Sequence, residues 1–275
     1  MPMGSPMRQT PAESGTRARA STRLWVESEL PGSGGASRDL LRDIFAARAE
    51  VPLRALAGRA TFRWPADSAV VVKRYSAPVW GDLVHDLLRG RARSVARREA
   101  ENLRDLALAG LRVPRLHGWC DEGAFGARSA LWMEHLEHSG SLMELAARAP
   151  RAAVEYSSQL ARAVALLHTQ GWYHRDLYLA HWLVTAQGLV LVDVGRARRE
   201  RSPRERWFVK DVAALLHSTP SAVPHAARLR FLAHYLDARG VTSHDGRRRF
   251  ARAVLAKAAR IAAHAPRWVD RSSGT

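Results

Sequence analysis

The residues best placed to do chemistry are two aspartates, one lysine and one histidine. His174-Arg175-Asp176 is a triplet that can set the Asp176 carboxylate against an incoming hydroxyl. An apolar run from Trp182 to Val184, a Gln187-Gly188 turn and a second run from Leu189 to Val192 lead to Asp193-Val194-Gly195. A carboxylate at such a strand-turn can hold magnesium against the phosphates of a nucleotide, so the pair suits phosphoryl transfer. His-Arg-Asp alone carries little weight in an arginine-rich chain. The hairpin and the Asp-Val-Gly at the right distance make the pattern specific. Five positions after Asp176, where this pattern has a second metal ligand, usually Asn, stands His181. An imidazole nitrogen suits magnesium less well than oxygen, so three readings stay open for His181: metal ligand, phosphate contact or packing.

These groups need a strand and a helix to complete them. Thr61 to Trp64, a turn at Pro65 to Ser68 and Ala69 to Tyr75 read as a β-hairpin, with Lys73 closing its second strand. A Val-Val-Val-Lys strand before a helix with a suitable Glu is the arrangement in which Lys grips the nucleotide phosphates. Lys73 is one of three lysines in a chain that otherwise uses arginine, which argues for a compact ammonium here. The helix is expected over Arg93 to Ala109, stopped by Gly110, and the Leu103/Leu106 stripe favours Glu99 over Glu101 as the partner of Lys73. No Gly-x-Gly-x-x-Gly precedes the hairpin. Gly58-Arg59-Ala60 is the nearest substitute. Further helices are expected over 38–49, 152–169, 222–238 and 246–265, and Asp211 should open another while anchoring the catalytic loop through buried hydrogen bonds.

At 275 residues, with 47% apolar and 25% charged residues, the chain can bury a two-lobed core. Its net charge of +17 favours an anionic partner, although 40 of the 43 cationic residues are Arg, which genome composition alone can produce. One cysteine, Cys120, excludes an internal disulfide. No run is long and apolar enough for a membrane span or a signal core, which leads to a cytoplasmic expectation. Residues 1–37 are rich in Pro, Gly, Ser and Arg and read as a disordered basic tail, with one apolar patch at Leu24-Trp25-Val26.

The string His174-Arg175-Asp176-x-Tyr178-x-x-His181-Trp182-Leu183 resembles the lipopolysaccharide core kinases, the bacterial heptose and Kdo kinases, in which His is usual at the place of His181. Trp207-x-x-Lys210-Asp211 is similar to a second stretch of that family, and the likeness runs from about residue 58 to 216. It implies a two-lobed protein-kinase-like α+β fold, with a small β-rich N-lobe over 38–135 and a larger helical C-lobe over 136–275. It implies transfer of the γ-phosphoryl group of ATP, with Mg2+, to a sugar hydroxyl (heptose or Kdo) of lipopolysaccharide core or another anionic glycan. The catalytic set would be Asp176, Lys73 and Arg175, the last organising the loop. The nucleotide would meet Lys73, Glu99, His181 and Asp193, with Asp193 and His181 at the metal. Met133 would lie behind the adenine, and the backbone of Glu134 and Leu136 would bond its edge. Arg196 to Arg206 reads equally as an anion-recognising lip or a solvated loop. Peripheral contact with an anionic inner membrane stays open, and no nucleic-acid partner is expected. A protein kinase of the same fold and a catalytically silent binding module are the rival readings.

Overall fold

The computed structural model describes residues 22–26, 37–47, 53–56, 58–64, 69–90, 93–123 and 126–264. The N-terminal part comprises β1 (Thr22–Val26), α1 (Ser37–Ala46), β2 (Arg54–Leu56), β3 (Arg59–Arg63), β4 (Val70–Tyr75), α2 (Trp80–Leu87), α3 (Val95–Leu108), β5 (Leu116–Glu122) and β6 (Arg128–Glu134). The six strands form one antiparallel sheet in the order β1-β5-β6-β4-β3-β2. Alternation along the strands sorts the side chains to two faces. Val70, Val72, Ala130 and Trp132 pack with Leu40, Leu41 and Ile44 of α1. Val71, Tyr75, Leu131 and Met133 face α3 and the main core. Covered on both sides, the β4 sequence is apolar at successive positions instead of alternating. The expected turn at residues 65–68 lies outside the described residues.

Several expectations need correction. Thr22–Val26, read as part of a disordered tail, is the edge strand β1, in register with β5 from Thr22↔Glu122 to Val26↔Gly118. Arg23 Nε donates to Asp121 Oδ1 at 2.8 Å, 98 positions away, and Trp25 packs on the core. The apolar patch Leu24-Trp25-Val26 was its one local signal, too short to outweigh a polar surrounding when its partner lies so far along the chain. The other residues up to 36 lie outside the described set. Lys73 does not close its strand either, since β4 runs on to Tyr75.

The C-terminal part holds α4 (Leu142–Arg148), α5 (Pro150–Glu155), α6 (Ser157–Thr169), β7 (Trp172–Tyr173), β8 (Trp182–Thr185), β9 (Gly188–Leu191), β10 (Arg198–Arg199), α7 (Glu205–Ser218), α8 (His225–Ala238) and α9 (His244–Ala263). Ser141 and Glu144 form a reciprocal cap on α4, closing the connection after β6. The helix expected over 152–169 is two helices, divided at Tyr156. Small ladders do the positioning: β8 pairs with β9 and β7 with β10. Among the described residues no helix is long and apolar enough to cross a membrane.

Candidate active site

Strand β4 places Lys73 and Tyr75 on the face turned to α3, and both reach the same carboxylate. Lys73 Nζ lies 2.5 Å from Glu99 Oε1, and the Tyr75 hydroxyl donates to Oε2 at 2.5 Å. Lys73 is 5% exposed and Glu99 1%, so this is a buried pair in which each charge depends on the other. Burial, reinforced by Glu99, pushes the Tyr75 phenol well above its ordinary value and keeps it a proton donor. Glu101, the competing carboxylate, points outward to Arg93 Nη1 (3.0 Å) and Arg97 Nε (2.8 Å). The helix starts cleanly because the Ser94 hydroxyl accepts from the Arg97 amide.

Helix α3 also carries two straps. Arg98 Nε donates to the Gly195 carbonyl at 3.1 Å, while Asn102 Nδ2 donates to Val194 O (2.8 Å) and Ala197 O (3.0 Å). The segment after Asp193 is therefore tied to the helix that bears Glu99. Gly195 lies so close that a Cβ there would stand 3.1 Å from Glu99 Oε2, which gives the Asp-Val-Gly glycine a steric reason.

The catalytic loop leaves β7 in a conformation that side chains rarely adopt, with Arg175 at φ 76°. Asp211, expected to open its helix, instead lies within α7, which begins at Glu205 because the apolar run Trp207–Val209 already packs on the core; fully buried there, it stabilises the loop by accepting from His174 N at 2.5 Å and Arg175 N at 2.8 Å. The Asp176 carboxylate is bonded by Arg196 Nη1, and Lys210 Nζ stands 3.9 Å away. Burial pulls the Lys210 ammonium below its ordinary value despite Asp176.

The β8–β9 hairpin delivers Asp193, itself at φ 59°. Three nitrogens converge on it: Arg59 Nη2 at 2.8 Å, Lys73 Nζ at 3.9 Å and His181 Nε2 at 3.8 Å. Burial alone would raise this carboxyl, but Lys73 and Arg59 outweigh it and hold Asp193 far below the usual carboxylate range. His181 Nδ1 lies 2.8 Å from the Asp176 carbonyl, which can only accept. In the neutral ring the proton is therefore on Nδ1, and Nε2 offers its lone pair on the Asp193 side. Metal-binding histidines are commonly oriented this way. Among the described residues no cluster of three or more His, Cys, Asp or Glu side chains is arranged to hold a metal. Magnesium here would rest on Asp193 and His181 and complete its shell with phosphate and water, as it does elsewhere.

Met133 is buried in β6, between Val71 of β4 and Leu116 of β5. Glu134 N is used by the Arg115 carbonyl at 2.9 Å, whereas the Leu136 amide has no bond among the described residues. Arg175 stands apart from the phosphate end, its Nη1 3.2 Å from Asp82 on α2. Sequence reasoning noticed Arg59 only as part of a missing glycine loop and passed over Tyr75, Asp82, Arg98 and Asn102. Arg59 follows Gly58, which stands at φ 76°, and a glycine with a basic residue behind it was the available signal.

A six-stranded sheet and a helical lobe, with the Lys73–Glu99 pair, the His-Arg-Asp loop and the Asp-Val-Gly linked through Asp193 and His181, define a protein-kinase-like phosphotransferase. Residues 46–235 match the family model described as the lipopolysaccharide kinase (Kdo/WaaP) family, and the chain belongs to that family. It is 30% identical over 204 residues to the lipopolysaccharide core heptose(I) kinase WaaP of Pseudomonas aeruginosa, covering 66% of this chain and 75% of that protein. The solved structure of WaaP in complex with acyl carrier protein shares the fold, with a TM-score of 0.65 at 23% identity, covering 87% of this chain and 99% of that one.

Proposed function

We propose that this kinase transfers the γ-phosphoryl group of ATP to a sugar hydroxyl, heptose or Kdo, of lipopolysaccharide core. The observation that carries the reading is the convergence of Arg59, Lys73 and His181 on Asp193, beside the Asp176 carboxylate. Arg59 and Lys73 are the cations at this end that a polyphosphate can recruit. Lys73, fixed by Glu99, would hold the inner phosphates. Arg59 would release Asp193 and bond the outer ones, a guanidinium serving where a glycine-rich loop offers backbone amides. Bound Mg2+ would supply charge neutralisation of the phosphate oxygens. Asp176 would orient the acceptor hydroxyl and accept its proton, with Arg196 and Lys210 following the charge that moves to the transferred group. The adenine would lie against Met133, with the Leu136 amide at its edge.

The relative's acyl carrier protein is carried over as a second proposed partner. An apolar cavity of about 480 Å3, lined by Leu142, Leu160, Leu179, Leu215, Leu232 and Val254, has the size and lining to take an aliphatic chain. Work on the inner face of an inner membrane, from the cytoplasm, fits an anionic glycolipid acceptor and a chain of net charge +17. Magnesium-dependent transfer from labelled ATP to purified, dephosphorylated lipopolysaccharide core tests the function. Wild type should label the core and Asp176→Ala should not. Label appearing on protein substrates instead would favour the protein-kinase reading, and nucleotide binding without any transfer the silent module.

A further inference from the structure

Asp82 lies outside the nucleotide cleft, yet parts of the machinery that come from three distant stretches meet on its carboxylate. Arg175 of the catalytic loop donates to Oδ1 at 3.2 Å and Arg198, just past the Asp-Val-Gly, to the same oxygen at 2.8 Å. Arg98 of α3 stands 3.5 Å from Oδ2. The site is closed: Asp82 is 7% exposed and Arg98 5%. Burial alone would raise the Asp82 carboxyl, but Arg98 and the bonds from Arg198 and Arg175 hold it below the usual range, so it stays an anion. One turn below, Asp86 takes Arg93 at 2.8 Å and the other side of Arg98 at 3.5 Å, which fixes α2 in place.

In many protein kinases the segment after the metal-binding aspartate is ordered by phosphorylation, a new phosphate pairing with arginines and setting the Glu-bearing helix. Here that segment is short, and between Val194 and Trp207 its one hydroxyl side chain is the exposed Ser202. The arginines are already paired with an anion from another element. Resting on the kinase reading above, we propose that Asp82 is a built-in substitute for an activating phosphate. It latches α3, the catalytic loop and the post-Asp193 segment together, so that the enzyme works without covalent modification. Asp82 is a positioning residue: it touches Arg98 and Arg175, and through them sets Glu99 and Asp176.

The test combines Asp82→Asn, which keeps shape and removes charge, with phosphatase treatment of wild type. Wild type should keep its full transfer rate after exhaustive dephosphorylation. Asp82→Asn should lose about a hundredfold in kcat, the scale of an ångström misplacement, with KM for ATP little changed. Hydrogen exchange should speed up in α3 and residues 193–198 while the core of α6 stays protected. Loss of activity on dephosphorylation, an unchanged kcat in the variant, or exchange that rises uniformly through the protein would each overturn the proposal. Exchange needs no acceptor. If wild type transfers nothing, the functional reading fails and the exchange pattern still decides whether the latch exists.

Discussion

Replacing Lys73 by methionine keeps the volume and removes the ammonium from a pair that is almost wholly buried. Glu99 is then left with the Tyr75 hydroxyl as its hydrogen-bond partner. Breaking a buried ion pair costs about 3–5 kcal/mol, and the surviving phenol bond puts Lys73→Met near the low end, about 3 kcal/mol. For a chain of this size that is a fall in Tm of roughly 6–12 °C. Glu99→Gln alone should cost less, because Lys73 still has Asp193 at 3.9 Å. In Lys73→Met/Glu99→Gln no charge is stranded, and much of the lost stability should return while transfer stays absent. Thermal unfolding of the four proteins at pH 8, beside the transfer assay, measures each term. A single variant as stable as wild type at pH 8, or a double variant no better than the single, would refute the buried-pair argument. A double variant that regains turnover would remove Lys73 from the chemistry.

Arg59→Ala should weaken ATP binding by about 10–100-fold, as expected from one charge-assisted contact, and leave adenosine binding unchanged; titration calorimetry with both ligands checks this. Tighter ATP binding in that variant would mean that Arg59 only obstructs Asp193. Burial lowers the imidazoles of His168 and His174 below their ordinary value, against the attraction of Asp211, so both stay neutral in the fold. The unfolded chain protonates them near pH 6.5, and stability should therefore be complete above that pH and fall below it, by at most about 1.4 kcal/mol per pH unit per histidine. A Tm that does not change between pH 7.5 and 5.5 would contradict this.

Much of the catalytic geometry follows from local rules. The Leu103/Leu106 stripe puts Glu99 and not Glu101 on the face toward β4, because three- and four-residue spacings share one side of a helix. The anchoring task of Asp211 was legible through the resemblance of Trp207-x-x-Lys210-Asp211, and the amides of His174 and Arg175 do bond to it, but its place inside α7 was not, since it was expected to open the helix. The break at Tyr156 and strand β1 were misread for opposite reasons. An apolar helical period ran on through the first, and a polar neighbourhood hid the second.

What the amino-acid order determined by itself was the set of candidate site residues: Lys73, Glu99, Asp176, His181 and Asp193 lie on elements whose periodicity and turns are encoded within a few residues of each. Only the tertiary structure decided what those groups meet. Arg59 comes to Asp193 from 134 positions away, and Arg98, Arg175 and Arg198 find one carboxylate on a helix with no motif of its own. Charge pairing acts through space and is as strong between distant residues as between neighbours. In a chain with so many arginines, which of them face an acid is settled by the packing of the sheet, α2 and α3, and by no local pattern.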